Sequence, residues 1–323
     1  MNKFAIQSDK SRRKTGDMLF GMNKAKLTKN IFLTIMLVYP LAQFLVFFVY
    51  MNFNNIMLAF KAYRTDGSTY WIGLENFKNI FLGIDAKLIK ISFFNNLSMF
   101  FITWFIGMPL NILFGYYLYK KKFGHGVIRI IYMLPNMVSG VVMSLLFMKL
   151  IESGLPTFFR TRFDWVMPNL IKSNEYAFGV QVFYTLWLGF SSSIIIYSNA
   201  MFSIDEGIIE AGRIDGTTPL TELCLIVVPL IFPTLTTYII TGVASIFTLS
   251  GSLYLFYGLN DVPQDTYMLG FYMFKIAMVG DLTAYPQASA MSVLITVVTV
   301  PLTLLFRAVL DRIDPMRDAN SRL

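Results

Sequence analysis

The sequence predicts an all-α, polytopic membrane protein with about six transmembrane helices. Hydrophobic residues make up 55% of the 323 residues and charged residues only 14%, whereas a soluble domain of this size carries about a quarter charged residues. Long stretches also lack charge altogether: 31–50, 93–119, 177–204, 223–260 and 282–306. Because about 20 apolar residues span the hydrocarbon core as a helix, we predict spans at 31–52, 94–119, 127–149, 177–203, 223–250 and 288–310.

The distribution of basic residues predicts that both termini are cytoplasmic. Most of the 27 lysine and arginine residues lie in the two tails and in the loops after the second and fourth spans, and such residues are enriched on the cytoplasmic side of a membrane. We divide the chain into a basic N-terminal tail (1–30), a transmembrane domain (31–312) and a C-terminal tail (313–323). Since the basic residues flank apolar runs, the net charge of +8 indicates membrane topology and not nucleic-acid binding.

Residue types that carry chemistry are scarce. The single cysteine, Cys224, and the single histidine, His125, exclude a cysteine or histidine metal cluster. A Gly-Lys pair is missing, and with it the phosphate-binding loop of nucleotide hydrolases. Acidic residues near Asp205 and Glu206 have no histidine partner, which argues against a membrane-embedded enzyme. We predict no catalytic and no metal site.

The loop between the fourth and fifth spans, at 204–222, combines acidic residues with turn signals. At helical spacing, Ile204, Ile208 and Ala211 form one face, which we expect to pack on the membrane helices, and the acidic face lies opposite. Gly216 predicts a left-handed turn that ends this helix. Thr218-Pro219 predicts the cap and first residue of the next helix. The acidic face carries Glu206 and Glu210, together with the one basic residue of the loop, Arg213.

This loop resembles the EAA signature of permease subunits of binding-protein-dependent ABC importers. The matching segments are 210–212 (Glu-Ala-Gly), 214–216 (Ile-Asp-Gly) and 226–230 (Ile-Val-Val-Pro-Leu). The third position is glycine where the family usually has alanine. The resemblance implies a helix that couples the membrane helices to a separate ATPase subunit. Its implied coupling residues are Glu206, Glu210, Ala211, Gly212, Arg213, Asp215 and Gly216.

The resemblance also implies the partners of the chain. They are two ATPase subunits, which would hold ATP and magnesium, a second homologous permease, and an extracytoplasmic solute-binding protein that docks on external loops 53–92, 150–176 and 254–287. The location implied is the bacterial cytoplasmic membrane, in contact with lipid. No cofactor is expected in this chain itself.

A sugar or oligosaccharide is the favoured substrate. We interpret Tyr70 to Phe77 as a short interfacial helix. Within it, Trp71 to Phe77 resembles the GL-x-NF segment of carbohydrate-uptake permeases. The spans as predicted carry no ionisable residue at their middle, which suits a neutral substrate and disfavours ion-coupled carriers. A permease for peptides, amino acids or anions stays open as the alternative.

A polar stripe on the fifth span is the candidate substrate path. Its spacing of three and four residues places every member on one helix face, although serine and threonine also serve in helix packing. Pro229 and Pro233 each remove a helical hydrogen bond, which predicts a hinge beside the loop. The stripe consists of Thr234, Tyr238, Thr241, Ser245, Thr248 and Ser252.

Overall fold

A computed structural model describes Lys26 and residues 28–315. The chain divides into two compact units, one ending at Leu58 and the other beginning at Ala59, and each is described by itself. Nearly all of the predicted N-terminal tail and most of the C-terminal tail lie outside the described residues.

The first unit contains one long helix, α1, at Thr28–Leu58. It covers the first predicted span, 31–52, and extends it at both ends. At a rise of about 1.5 Å per residue, its 31 residues form a helix that is longer than a hydrocarbon core is thick. Within the helix, the Asn52 amide donates to the Phe48 carbonyl at 2.6 Å, so the polar side chain is satisfied by its own backbone.

The second unit begins with a small hairpin. Strand β1 (Lys61–Tyr63) pairs antiparallel with β2 (Thr69–Trp71), and helix α2 follows at Glu75–Leu82. The predicted interfacial helix from Tyr70 to Phe77 is therefore wrong in its first half, because Tyr70 and Trp71 belong to a strand. Buried Asn76 holds the two parts together by donating to the Ala59 carbonyl at 2.8 Å and to the Lys61 carbonyl at 2.9 Å.

The remaining long helices follow the predicted spans. In the described part of the chain, five helices are long and apolar enough to cross a membrane, or six when a bent pair counts as one span, as the sequence predicts. Those of the second unit are α3 (Ala86–Tyr119), α5 (Gly140–Phe163), α6 (Asn174–Phe202), the bent pair α8 (Pro219–Leu230) and α9 (Phe232–Ser245), and α12 (Tyr285–Ile313). Shorter helices are α4 (His125–Met137), α7 (Glu206–Ile214), α10 (Leu253–Tyr257) and α11 (Leu269–Val279).

The third predicted span, 127–149, is wrong in its bounds. Extended backbone at Val138 and Ser139 separates α4 from α5, so the membrane-length helix begins at Gly140 and continues to Phe163. Much of the predicted external loop 150–176 is therefore helical. Glu152, which belongs to α5 with these bounds, lines a cavity together with Lys172. Lys172 lies just before the start of α6. Lys149 and Glu152 lie near the middle of α5, so the expectation that the spans carry no ionisable residue at their middle is wrong for this helix.

The fifth span is broken, as its prolines predict. Helices α8 and α9 meet at an angle of 69° around Ile231, whose backbone (φ −90°, ψ 4°) leaves the α-helical region. Pro233 lies two residues later and provides no amide hydrogen for the ladder. Helix α9 ends at Ser245, five residues before the predicted end of the span at residue 250.

An irregular segment follows α9 and is fastened by a buried amide. The Asn96 side chain, which is fully buried, donates to the Ile246 carbonyl at 2.7 Å and accepts from the Leu269 amide at 2.8 Å. Non-helical backbone inside a membrane protein requires such internal partners. The larger hydrophobic core surrounds this segment and includes Phe147, Tyr184, Phe256 and Phe271.

Candidate functional site

The predicted loop folds as a capped helix followed by a sharp turn. Helix α7 begins after Asp205, whose carboxylate accepts from the Gly207 amide at 2.8 Å. At its end Gly216 has φ +81°, its amide donates to Arg213, and the next amide, of Thr217, donates to Gly212 at 3.1 Å. This pair of bonds is the Schellman arrangement that closes helices at a glycine, as the sequence predicts.

The next helix starts where the sequence predicts. The Thr218 hydroxyl accepts from the Thr221 amide at 3.3 Å, and Pro219 is the first helical residue of α8. Proline fits this position because its missing amide hydrogen would have no helical partner. The two helices are therefore joined by a short, capped connection with defined geometry.

The buried face of α7 differs from the predicted one. Ile209 (2% exposed) and Gly212 are buried, whereas Ile208 is 45% exposed and Ala211 is exposed as well. The prediction that Ile208 and Ala211 pack on the membrane helices is therefore wrong. The cluster that receives Ile209 consists of Tyr116, Tyr197, Met201, Leu223, Val227, Ile231 and Leu235, with Ile204 packed at its margin.

The glycine of the signature has a packing role that sequence reasoning missed. A Cβ atom at Gly212 would lie 2.6 Å from the Cδ1 atom of Ile226, closer than two carbon atoms approach without displacement. The Thr217 hydroxyl also donates to the Gly212 carbonyl at 2.9 Å. The two halves of the motif, at 210–216 and 226–230, are thus in direct contact, with Ile226 seated on Gly212.

The opposite face of α7 is open and carries charged and apolar groups together. Glu206, Glu210 and Arg213 are exposed, and within residues 28–315 Glu210 makes no ion pair. Ile214 is 87% exposed at the end of the helix. A carboxylate beside exposed apolar side chains is typical of a surface that binds another protein.

Glu222 does not belong to this exposed acidic set. It is 3% exposed, it forms an ion pair with Lys120, and the Tyr116 hydroxyl donates to it at 3.1 Å. Lys120 directly follows α3, so the contact joins the end of that span to the beginning of α8. No local pattern identifies the pair, because its members lie about a hundred residues apart in sequence.

The structure divides the predicted polar stripe. Thr234, Tyr238, Thr241 and Ser245 lie on α9, but Thr248 and Ser252 fall in the irregular segment after it, so the prediction of one six-residue helical face is wrong. The core face of α9 carries Leu235, Ile239 and Val243. Each of the four helical stripe residues keeps part of its surface accessible in this chain.

Two of the stripe hydroxyls on α9 are bonded to their own helix. Thr241 donates to the Thr237 carbonyl at 2.8 Å, and Ser245 donates to the Thr241 carbonyl at 3.0 Å. Hydroxyl groups in such bonds keep free acceptor positions. The exposed part of the stripe is thus able to accept hydrogen bonds from a polyhydroxylated molecule.

Sequence comparison connects the chain with transport proteins. Residues 107–318 match the family described as "Binding-protein-dependent transport system inner membrane component". The multiple sugar-binding transport system permease protein MsmF of Streptococcus mutans is 25% identical over 266 residues, which cover 81% of this chain and 89% of that protein. A probable ABC transporter permease protein of Mycoplasma pneumoniae is 24% identical over 200 residues, and the match covers 58% of each chain.

Structural comparison shows the same fold in a solved transporter. A chain from the crystal structure of a bacterial ABC transporter that imports the acidic polysaccharide alginate superposes with a TM-score of 0.76. The alignment covers 89% of this chain and 98% of the other, at 18% identity. Since identity is low, the likeness concerns the fold.

Proposed function

Since the chain belongs to the family of binding-protein-dependent transport system inner membrane components, we propose that it is the permease subunit of an ATP-driven importer for a sugar or oligosaccharide. It is a multi-pass cell-membrane protein of that family. The observation that carries the proposal is the 204–222 loop, in which a short, capped helix is anchored on one face and open on the other.

The loop has the properties of a coupling element. Its anchored face, Ile209 and Gly212, ties α7 to the core cluster, and Ile226 ties it to α8. A push on α7 is therefore transmitted to the broken span α8–α9. Such a rigid element, able to move as a unit, is what a two-state transport cycle requires.

The open face of α7 is the proposed contact with an ATPase subunit. Glu206, Glu210 and Arg213 supply charge, and Ile208 and Ile214 supply apolar area. Charged pairs at such a joint set orientation and partner choice, whereas apolar contacts supply most of the affinity. Under this proposal Ala211, Asp215 and Gly216 shape the helix and its turn. The loop would then lie on the cytoplasmic side, with both termini.

Other subunits complete the transporter. The family description itself names a binding protein, which would dock at the end of the spans opposite the loop. Two ATPase subunits would bind ATP and magnesium, and a second, homologous permease would close the transport path. The exposed part of the polar stripe on α9 would face that path, and Pro229 and Pro233 would form its hinge.

A sugar is the substrate that the observations favour over peptides, amino acids or anions. The relative in Streptococcus mutans is named as a multiple-sugar permease. On α9 the stripe offers hydroxyls and the aromatic ring of Tyr238, which stacks edge-on against Tyr197 at 5.5 Å. Neutral hydrogen-bonding groups of this kind suit the hydroxyls of a sugar.

Replacement of Glu210 by lysine tests the coupling role. Glu210→Lys reverses the charge on the open face without touching the buried one, so we expect loss of ATPase co-purification or ATP hydrolysis without sugar uptake. A charge-assisted hydrogen bond at such a joint contributes about 1.5–3 kcal/mol. Both quantities are measured on the complete transporter in liposomes, with its binding protein and labelled sugar.

Glu175→Lys provides the matched control. Glu175 is also exposed on a helix but lies at the opposite end of α6 from the loop, so its reversal should leave ATPase association unchanged. It controls for ATPase association alone, because residues 150–176 belong to the predicted docking surface of the binding protein. If Glu210→Lys complexes assemble and transport like the wild type, the loop is not the coupling element. If sugar is not taken up by the wild-type complex but another solute is, the substrate class is wrong and the coupling role stands.

A further inference from the structure

The coupling role proposed for α7 does not by itself require the ion pair between Lys120 and Glu222. The side chains are 14% and 4% exposed, so the carboxylate is buried and the ammonium is largely withdrawn from water. Desolvation of an ion pair offsets much of its attraction, and an apolar pair of the same size often stabilises a protein equally well. A charged pair in such a place is best explained by the specific geometry that it imposes.

Three aromatic contacts orient the pair. The Tyr116 hydroxyl donates to the same Glu222 oxygen, Oε1, that Lys120 contacts. The Lys120 ammonium also lies 5.5 Å from the centre of the Tyr116 ring and 5.6 Å from that of Tyr119, within the range of cation–π attraction. The position of the ammonium is therefore defined by α3, and the position of the carboxylate by α8.

The pair joins two elements that are otherwise far apart along the chain. Lys120 is the residue directly after α3, and its amide continues the helix by donating to Tyr116 at 2.9 Å. Glu222 lies in the first turn of α8 and donates its amide to Thr218 at 2.8 Å. A displacement of the 204–222 loop thus acts on α3 through a directional contact, in addition to its action on α8.

From α3 the displacement reaches the neighbouring span. A Cβ atom at Gly115 would lie 3.3 Å from the Cβ atom of Tyr197 and 3.4 Å from the Ser198 amide, so α3 and α6 are in close backbone contact there. Packed helices with so little space between them move together. The pair is therefore placed to distribute movement of the loop over α3 and α6 as well as α8.

We infer that Lys120 and Glu222 form an ionic clamp that makes α3 move with the coupling loop, so that ATP hydrolysis and sugar movement stay linked. They are positioning residues, since neither is proposed to touch ATP or sugar. The inference rests on the proposed function of the loop. It adds a second route from the loop into the membrane helices, through α3, to the direct route through α8.

The test is a charge-swap cycle in the complete transporter, reconstituted in liposomes with its ATPase subunits and binding protein. Lys120→Glu and Glu222→Lys each leave two like charges together, and the double variant restores an opposite pair. The measured quantity is sugar taken up per ATP hydrolysed, normalised to assembled complex. We expect each single variant to lower this ratio about tenfold, which corresponds to about 1.4 kcal/mol of lost linkage between the loop and transport, and the double variant to recover a large part.

Two further variants make the result specific. Glu222→Gln keeps the shape and a hydrogen-bond acceptor for Tyr116 but removes the charge, so the ratio should fall while assembly and maximal ATP hydrolysis persist. Lys122→Glu alters an exposed lysine in the same basic run and should leave the ratio unchanged. A structural role alone would change the amount of complex and not the ratio.

The clamp is overturned if Glu222→Gln transports with the wild-type ratio, or if the double swap is no better than the worse single variant. Failure of Glu222→Gln to assemble would assign the pair to folding and also overturn it. Glu210→Lys separates this inference from the proposed function. If Glu210→Lys uncouples transport but the Lys120 and Glu222 variants behave normally, the coupling role of the loop stands and only the clamp is refuted. If Glu210→Lys transports normally, the coupling role of the loop itself is refuted.

Discussion

Two adjacent isoleucines of α7 allow the assignment of its buried face to be measured. Ile209 is 2% exposed and Ile208 is 45% exposed, although they have the same side chain and lie in the same helix. Replacement of either by alanine removes the same atoms. Alanine also improves helix propensity by the same few tenths of a kcal/mol at both sites, so this contribution cancels when the two variants are compared.

The expected difference follows from burial. Ile209→Ala removes three buried carbon atoms, at about 0.8 kcal/mol each, and leaves a cavity, which places its cost at about 3–4 kcal/mol within the usual range for such changes. Ile208→Ala loses about half of the transfer contribution and leaves no cavity, or about 1 kcal/mol. The difference of about 2–3 kcal/mol corresponds to a factor of about 30 to 160 in the opening equilibrium of the loop.

Amide hydrogen exchange across residues 205–217 of the purified chain is the direct assay. Ile209→Ala should accelerate exchange of the loop amides far more than Ile208→Ala, because local opening is controlled by the buried anchor. In the assembled transporter the measured quantity is ATPase co-purification. Ile208→Ala should weaken it without loosening the loop, since the Ile208 side chain lies on the proposed docking face. Equal or reversed effects on exchange would refute the buried face and restore the face expected from sequence.

Three other outcomes are expected. Gly216→Val should destabilise the loop by about 1–2 kcal/mol, because the backbone at this position is left-handed, and Gly216→Asn should destabilise it less. Thermal unfolding of the two purified variants compares these costs. Gly212→Ala should destabilise the loop by crowding Ile226. Adding Ile226→Val, which removes the opposing methyl group, should restore about 1 kcal/mol of stability, and no recovery in thermal unfolding would refute that contact. Thr241→Leu should reduce sugar uptake while ATPase association persists, whereas Thr296→Leu, an exposed threonine on α12 with the same bond to its own helix, should not; equal effects would show that the stripe only packs.

Local chemistry in the sequence was sufficient for the turn in the loop and for most of the membrane spans, although not for the bounds of the third. Charge-free stretches determine which segments enter a membrane, because a helix there must bury about 20 residues without charge. Gly216 and Thr218-Pro219 determine where α7 ends and α8 begins, because the turn and cap are made by neighbouring residues. The break in the fifth span follows likewise from Pro229 and Pro233.

Tertiary structure alone decided the face of α7 and the partner of Glu222. Apolar or small residues lie at 208, 209, 211 and 212, so helical periodicity permits more than one apolar face, and the cluster around Ile209 selects one of them. Tyr116 and Glu222 are 106 residues apart, and no local preference encodes such a contact. Sequence thus determined properties that depend on adjacent residues and the surrounding solvent, while those that depend on distant side chains meeting required the folded chain.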